Sequence, residues 1–365
     1  MDTPKILVAP LDWGFGHATR CIPIINELVS RGCTVWIASG GSCLQLLRKE
    51  FPLVPFLRLD GYNVIYHNTK SNFRWTIAKQ IPKIIAAVKR EQHWLKKIMD
   101  EHHFDIIISD NRYGLYSGKA VSVFITHQLT IKTGIGPGAD RLLQKMNYRY
   151  LKNFDECWVP DFEGQENLAG KLSHPAAVPP HTTYIGALSR LKKKEESRKY
   201  DLLIVLSGPE PRRTIWERLL LEELKTYKGE TLIVRGLPDN NDTINTDAGI
   251  AIVNFLSSDE LGTAIQQSEW VICRSGYTSV MDLVQLEHKA ILVPTPGQPE
   301  QEYLAQWLHQ HKFFYTVTED SFSLQQCLRE AAGFPFNFSV FQPFLSNYKK
   351  QIERLIQQYL MRNRF

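Results

Sequence analysis

Short runs of Val, Ile and Leu recur along this chain, each followed by a longer stretch of helical periodicity. That alternation constrains the fold more than any other feature, because it marks βαβ units and parallel sheets. Candidate strands in the first half are 5–9, 34–38, 105–109, 121–126 and 156–159; in the second half they are 201–206, 231–234, 250–253, 270–273 and 290–294. Their nearly continuous aliphatic content fits strands covered by helices on both faces. A length of 365 residues accommodates two such domains. The charged run at 189–199 has no core-forming residue after Leu191 and separates them. The expected layout is an N-terminal doubly wound domain over 1–190, a C-terminal one over 200–340, and a closing segment over 341–365. In that last segment Leu345, Tyr348, Ile352, Leu355 and Tyr359 form one helical stripe that would pack back on the domain junction.

Cysteine usage and the chain start bear on compartment. Cys21, Cys33, Cys43, Cys157, Cys273 and Cys327 include no CxxC pair, which reads as reduced, buried thiols of a cytosolic protein. The apolar run after the N-terminus is too short for a signal peptide, and no stretch reaches the ~18 apolar residues of a spanning helix. The expected location is cytoplasmic, with peripheral contact at the inner face of the cell membrane. Net charge is only +5, yet 70–99 holds eight basic residues against Glu91 alone, a net of +7. Pro82 could open a helix there, with Ile84, Ile85, Val88, Leu95 and Met99 on an apolar face and Lys83, Arg90, Trp94 and Lys97 opposite. Basic residues interleaved with an exposed tryptophan over 83–97 suit an anionic membrane surface, and Arg141, Lys145, Arg149 and Lys152 could extend the patch.

Two stretches carry chemistry. The first strand runs into Gly14-Phe-Gly16-His17, where glycines permit a sharp turn and close approach to a ligand. A histidine at the carboxyl end of a strand points into the crevice where doubly wound sheets bind ligands. The spacing is not GxGxxG, so no nicotinamide cofactor is expected. The second stretch is Arg274-Ser275-Gly276-Tyr277-Thr278 before a helix that includes Asp282, followed by Thr295-Pro-Gly-Gln298-Pro-Glu300-Gln301. Backbone amides and hydroxyls at a helix N-terminus, with an arginine beside them, suit a diphosphate.

The tract from Val253 to Leu256, then Glu269 to Asp282, then Val293 to Gln301 resembles the nucleotide-sugar half of GT-B glycosyltransferases. The resemblance is to glycosyltransferase family 28, which includes the N-acetylglucosaminyltransferase making the lipid precursor of peptidoglycan. Gly14-Phe-Gly16-His17 matches that family's glycine loop and histidine. The resemblance implies a GT-B fold, two Rossmann-like domains with a cleft between them. It also implies transfer of a sugar from a nucleotide-diphosphate sugar, uridine diphosphate being the expected carrier, to an acceptor that could be lipid-linked.

Carried over by residue, the resemblance puts Phe255 at the base and Ser275 and Gly276 on the diphosphate, with Arg274 in support. Thr278 joins them, Asp282 stands at the ribose position, and Glu300 and Gln301 meet the donor sugar. Ser207, Gly208 and Arg212 could also address phosphate, although Pro209 and Pro211 replace two amide donors of the family's glycine-rich loop. That departure leaves the sugar open. Inverting transfer needs a base for the acceptor proton. His17 is the first candidate and Asp110 the alternative, while His127 also stands at a strand end. No Asp-x-Asp triplet stands near a strand end, so no metal and no cofactor are expected. A UDP-sugar 2-epimerase on the same scaffold would want more carboxylates than Asp110, Asp282 and Glu300. A non-catalytic binder of an anionic partner gives the 274–301 run no purpose, and nucleic acid is not an expected partner.

Overall fold

The computed structural model describes residues 3–12, 14–61, 73–131, 136–237 and 249–362. Lys70 and the side chains of Arg74 and Lys79, part of the basic stretch, lie outside what is described. The chain divides into two compact units, Met1–Leu188 with Phe344–Phe365, and Ser189–Pro343.

The first unit is built on seven strands: β1 (Lys5–Pro10), β2 (Thr34–Ser39), β3 (Phe56–Arg58), β4 (Ile106–Asp110), β5 (Val121–Ile125), β6 (Glu156–Val159) and β7 (Thr182–Tyr184). Their order is β3-β2-β1-β4-β5-β6-β7, all parallel. Helices α1 (Phe15–Ser30), α2 (Gly41–Glu50), α3 (Phe73–His102) and α4 (Pro137–Leu151) connect them. The order in which the chain adds strands reverses between β1 and β4, where Pro10 is in register with Asp110. That switch point is where an open parallel sheet offers its ligand crevice. Leu7, Ala9, Ile107, Leu95, Met99 and Phe104 form the core between this sheet and α3. The C-terminal helix α10 (Asn347–Arg362) belongs to this unit and packs on α1. Gln351 donates to Glu156 at 2.7 Å beneath it, and Ile352 and Leu355 are buried.

The second unit repeats the plan with β8 (Tyr200–Val205), β9 (Thr231–Val234), β10 (Ile250–Val253), β11 (Ser268–Cys273), β12 (Ala290–Leu292) and β13 (Tyr315–Thr316). The order is β10-β9-β8-β11-β12-β13, again all parallel, with the switch between β8 and β11. Its helices are α5 (Arg212–Leu224), α6 (Ser258–Gln266), α7 (Tyr277–Leu286), α8 (Pro299–Gln310) and α9 (Leu324–Ala332). Leu202, Ile204, Ile272, Ile291, Trp216 and Leu220 lead its core. Ser257 and Glu260 form a reciprocal capping box at the start of α6.

Several local expectations are corrected. Helix α3 does not open at Pro82: over its described range Phe73–His102 it runs through that residue, which removes one i→i−4 hydrogen bond. Trp94 does not stand on the exposed face: it is half-buried and packs against the Leu95–Phe104 core, leaving Lys83, Arg90 and Lys97 exposed without it. Helix α1 begins at Phe15, so His17 lies inside its first turn and does not precede it. The short strands β3, β7 and β13 were not foreseen. All six cysteines are free and buried. Among the described residues, no helix is long and apolar enough to cross a membrane.

Candidate active site

In the first unit the backbone leaves β1 and turns at Gly14, whose φ of 72° favours glycine and whose missing Cβ faces open space. This turn delivers His17 to the carboxyl end of the sheet. Asp110 ends β4, the strand next to β1, and Asn111 follows it in the left-handed region at φ 55°. The Nδ1 of His17 lies 3.2 and 3.3 Å from the two Asp110 oxygens. Thus the two alternatives for the base form one pair. Asp110 is fully buried, whereas the His17 side chain keeps 16% exposure.

Arg20 completes the group, one helical turn after His17. Its Nε donates to Asp110 Oδ2 at 2.7 Å and its Nη2 to Oδ1, a two-point fork. Nη1 lies 3.1 Å from Nδ1 of His127, the buried histidine after β5, and Nη2 lies 2.8 Å from Nδ1 of His17. The sequence reading missed Arg20, though its i, i+3 spacing from His17 placed both on one helical face.

Electrostatics divides the labour. Burial acts to raise the Asp110 pKa, but Arg20 and His17 outweigh it and hold the carboxyl well below its ordinary range. A carboxylate so held is a weak base and a good anchor. Burial, then the Arg20 cation, lower the His17 pKa against the pull of Asp110, so the ring is uncharged at neutral pH. An uncharged imidazole with Nδ1–H toward a carboxylate presents a basic Nε2.

In the second unit three loops meet the carboxyl ends of the strands around the β8–β11 switch. Ser207 and Gly208 after β8 are exposed, and Arg212, half-buried, opens α5. Gly208 has φ 104°, and a Cβ there would meet only Thr295 Oγ1. Gly276 caps α7 with no side-chain cap bond, and a Cβ there would meet nothing. Thr278 is half-buried in the first turn of α7, and Glu300 is half-buried in the first turn of α8. Phe255, half-buried, follows β10 beside Asn254, which accepts from Arg235 at 3.0 Å.

Other expected ligands turn inward. Arg274 is buried, donating to Glu319 at 2.5 Å and to the Pro294 carbonyl at 3.2 Å, with its guanidinium 4.7 Å from the Trp216 ring centre. Ser275 donates its hydroxyl to the Gln301 carbonyl, and Gln301 Oε1 accepts from the Thr295 amide. These side chains fix the loops instead of facing solvent. Asp282 is also buried and accepts from Ser189 at 2.5 Å. Beside them stand the backbone of the α7 N-terminus at Gly276 and the glycine turn at 208, while the Gly297 amide donates to Glu302 at 2.8 Å. A helix N-terminus favours anions. Among the described residues, no group of three His, Cys, Asp or Glu side chains could hold a metal ion.

Comparison with known proteins bears on the fold and on the family that the second unit resembles. Residues 225–333 match the glycosyltransferase family 28 C-terminal domain, and residues 5–125 match glycosyl transferase family 1. An uncharacterised glycosyltransferase of Methanosarcina acetivorans is 25% identical over 210 residues, 53% of this chain and 52% of that protein. The chain thus spans about half the length of the curated relative it matches. Among solved structures, Arabidopsis thaliana UGT89C1 complexed with UDP-L-rhamnose is similar at TM-score 0.67 and 12% identity, covering 98% of this chain and 100% of that one. MurG of Acinetobacter baumannii follows the fold at TM-score 0.54 and 12% identity, with 99% and 100% covered. The chain has the GT-B fold, and the match to the glycosyltransferase family 28 C-terminal domain falls within its second unit.

Proposed function

We propose that the protein is an inverting glycosyltransferase in which the second unit binds a nucleoside-diphosphate sugar and the first activates the acceptor. The observation that carries this reading is the His17–Asp110 pair at the β1–β4 switch, with the imidazole side chain 16% exposed. Nε2 of His17 takes the proton of an acceptor hydroxyl. The oxygen so freed forms a bond to the anomeric carbon from the face opposite the diphosphate, and the anomeric carbon–oxygen bond breaks to release the nucleoside diphosphate. Asp110 keeps the ring oriented and stabilises the imidazolium that forms.

For the donor, the positive end of the α7 dipole at Gly276 and the turn at Gly208 suit the diphosphate, whose charge grows as it leaves. Arg212 at the start of α5 adds a cation, and Glu300 and Phe255 serve the sugar and the base. Arg274, Ser275 and Gln301 act by shaping these loops. Uridine diphosphate is the carrier proposed, in line with the UDP-sugar bound by the similar Arabidopsis structure. A hexose is the group proposed, and a lipid-linked hydroxyl the acceptor.

The test is a thermal-shift screen with uridine, guanosine and thymidine diphosphates and their sugars. A ligand at 100 times its Kd adds about 2.7 kcal/mol of stability, a readable shift. Stabilisation by one nucleotide, together with turnover of its sugar that His17→Gln abolishes, supports the reading. No response to any nucleotide rejects it.

A further inference from the structure

Two imidazoles in the first unit converge on one cation. Arg20 is 2% exposed, and its guanidinium reaches Asp110 through Nε and Nη2, His17 through Nη2, and His127 through Nη1. A guanidinium can only donate hydrogen bonds, and a carboxylate can only accept them. These one-way chemistries restrict where the protons on both rings can sit.

At His127, Nδ1 lies 3.1 Å from Arg20 Nη1. A donor facing that nitrogen requires Nδ1 to carry a lone pair, so a neutral His127 bears its proton on Nε2. At His17 the same nitrogen is addressed from two sides. Asp110 calls for Nδ1–H, at 3.2 and 3.3 Å, whereas Arg20 calls for a bare Nδ1, at 2.8 Å. Both cannot be met at once. With the proton on Nδ1 the ring is a base at Nε2; with Nδ1 bare it is a donor there.

We propose that Arg20 is a positioning residue for the transfer, acting through both histidines: it anchors Asp110 beside His17 and makes Nδ1 of His127 the unprotonated nitrogen. The inference rests on the function proposed above for His17, but the tautomers it specifies exist with or without a substrate. The charged and titratable groups facing His17 are Arg20 from α1, Asp110 from β4 and His127 from the segment after β5; Cys21 of α1 donates to Asp110 at 3.7 Å, and Cys43 of α2 also feels the Asp110 charge. Of these, Arg20 and His127 oppose a proton on His17, and Asp110 favours one. Removing Arg20 or removing Asp110 therefore moves His17 in opposite directions, which a merely structural residue does not do.

The experiment is a long-range proton–nitrogen correlation spectrum of the full chain labelled with nitrogen-15 histidine, recorded between pH 5 and 9, with His17→Gln and His127→Gln used to assign the rings. In the unmodified protein at pH 7.5, His127 is expected as the Nε2–H tautomer, and a protonated Nδ1 on His127 overturns the proposal. In Arg20→Gln the His17 midpoint and the acid limb of the kcat/KM profile should move up together by about one pH unit, and in Asp110→Asn the midpoint should move down. Arg20→Lys, which retains a cation for Asp110 but has no fork, should leave His127 a mixture of tautomers, and it carries the test if Arg20→Gln does not fold. Activity that falls equally at every pH, with both ring spectra unchanged, assigns Arg20 a structural role only and overturns the proposal. If no nucleotide sugar is turned over, the spectra still decide the role of Arg20, and the proposed function alone falls.

Discussion

Ser189 donates its hydroxyl to Asp282 at 2.5 Å inside the second unit, and burial lifts that carboxyl to about 6 against the opposing effects of Arg190 and Ser189. An aspartate raised this way binds its proton more tightly folded than unfolded. Its stabilising contribution is complete below the unfolded value near 3.8 and is lost as pH rises through about 6. Asp282→Asn keeps an acceptor for Ser189 without the charge. The variant should melt higher than the parent at pH 8, by about 2–3 kcal/mol, and the gap should close near pH 4. Melting curves across that range check it. A gap independent of pH would show that Asp282 is not the titrating group.

His17→Gln should lower kcat by roughly a hundred- to ten-thousand-fold, the usual worth of a general base. Nucleotide affinity should stay within about twofold, because the residue is placed on the acceptor side. Isothermal titration with the nucleotide, beside initial rates, separates the two effects. An equal loss of affinity would move His17 to the donor site.

At Gly276 the backbone has φ −70° and ψ 137°, which any residue adopts, and an added Cβ meets nothing within 4 Å. Gly276→Leu should therefore fold with a melting temperature near that of the parent, while losing the thermal shift given by the nucleotide. Gly208→Ala is the contrast: φ 104° makes it strained, at about 1–3 kcal/mol, whatever it does to binding. A Gly276→Leu variant that still responds fully to nucleotide would remove the α7 N-terminus from the site.

Glu319 is the ionic partner of buried Arg274, whose pKa burial itself lowers. Glu319→Leu leaves a guanidinium uncompensated beside Trp216, at about 3–5 kcal/mol. The double variant Arg274→Met with Glu319→Leu should recover much of this. Urea midpoints read both, and equal losses in the single and double variants would deny the coupling.

How far this was legible in the sequence depended on range. The doubly wound plan was visible because strands such as Ile106–Asp110 and Ile250–Val253 announce themselves as aliphatic runs. Phe56–Arg58, Thr182–Tyr184 and Tyr315–Thr316 did not, since two or three residues make no periodic pattern. His17 and Asp110 could each be picked out by standing at a strand end, but their partnership spans 93 residues. The inward turn of Arg274 and the Ser189–Asp282 bond are likewise products of packing: a motif names the residue type without saying which neighbour will take its hydrogen bonds. Trp94 shows the same limit, because one position on the rim of a helical stripe separates a membrane-facing ring from a core-packing one.

The burial of all six cysteines has a practical side. Cys33 is pushed up to about 11, Cys43, Cys157 and Cys273 to about 12, and Cys21 and Cys327 are also raised, burial leading in each case. Only the thiolate reacts quickly with a maleimide, so the folded chain is close to silent toward such reagents. A cysteine introduced at Leu53, which is 96% exposed, would take a fluorophore alone, with every native sulfur left in place.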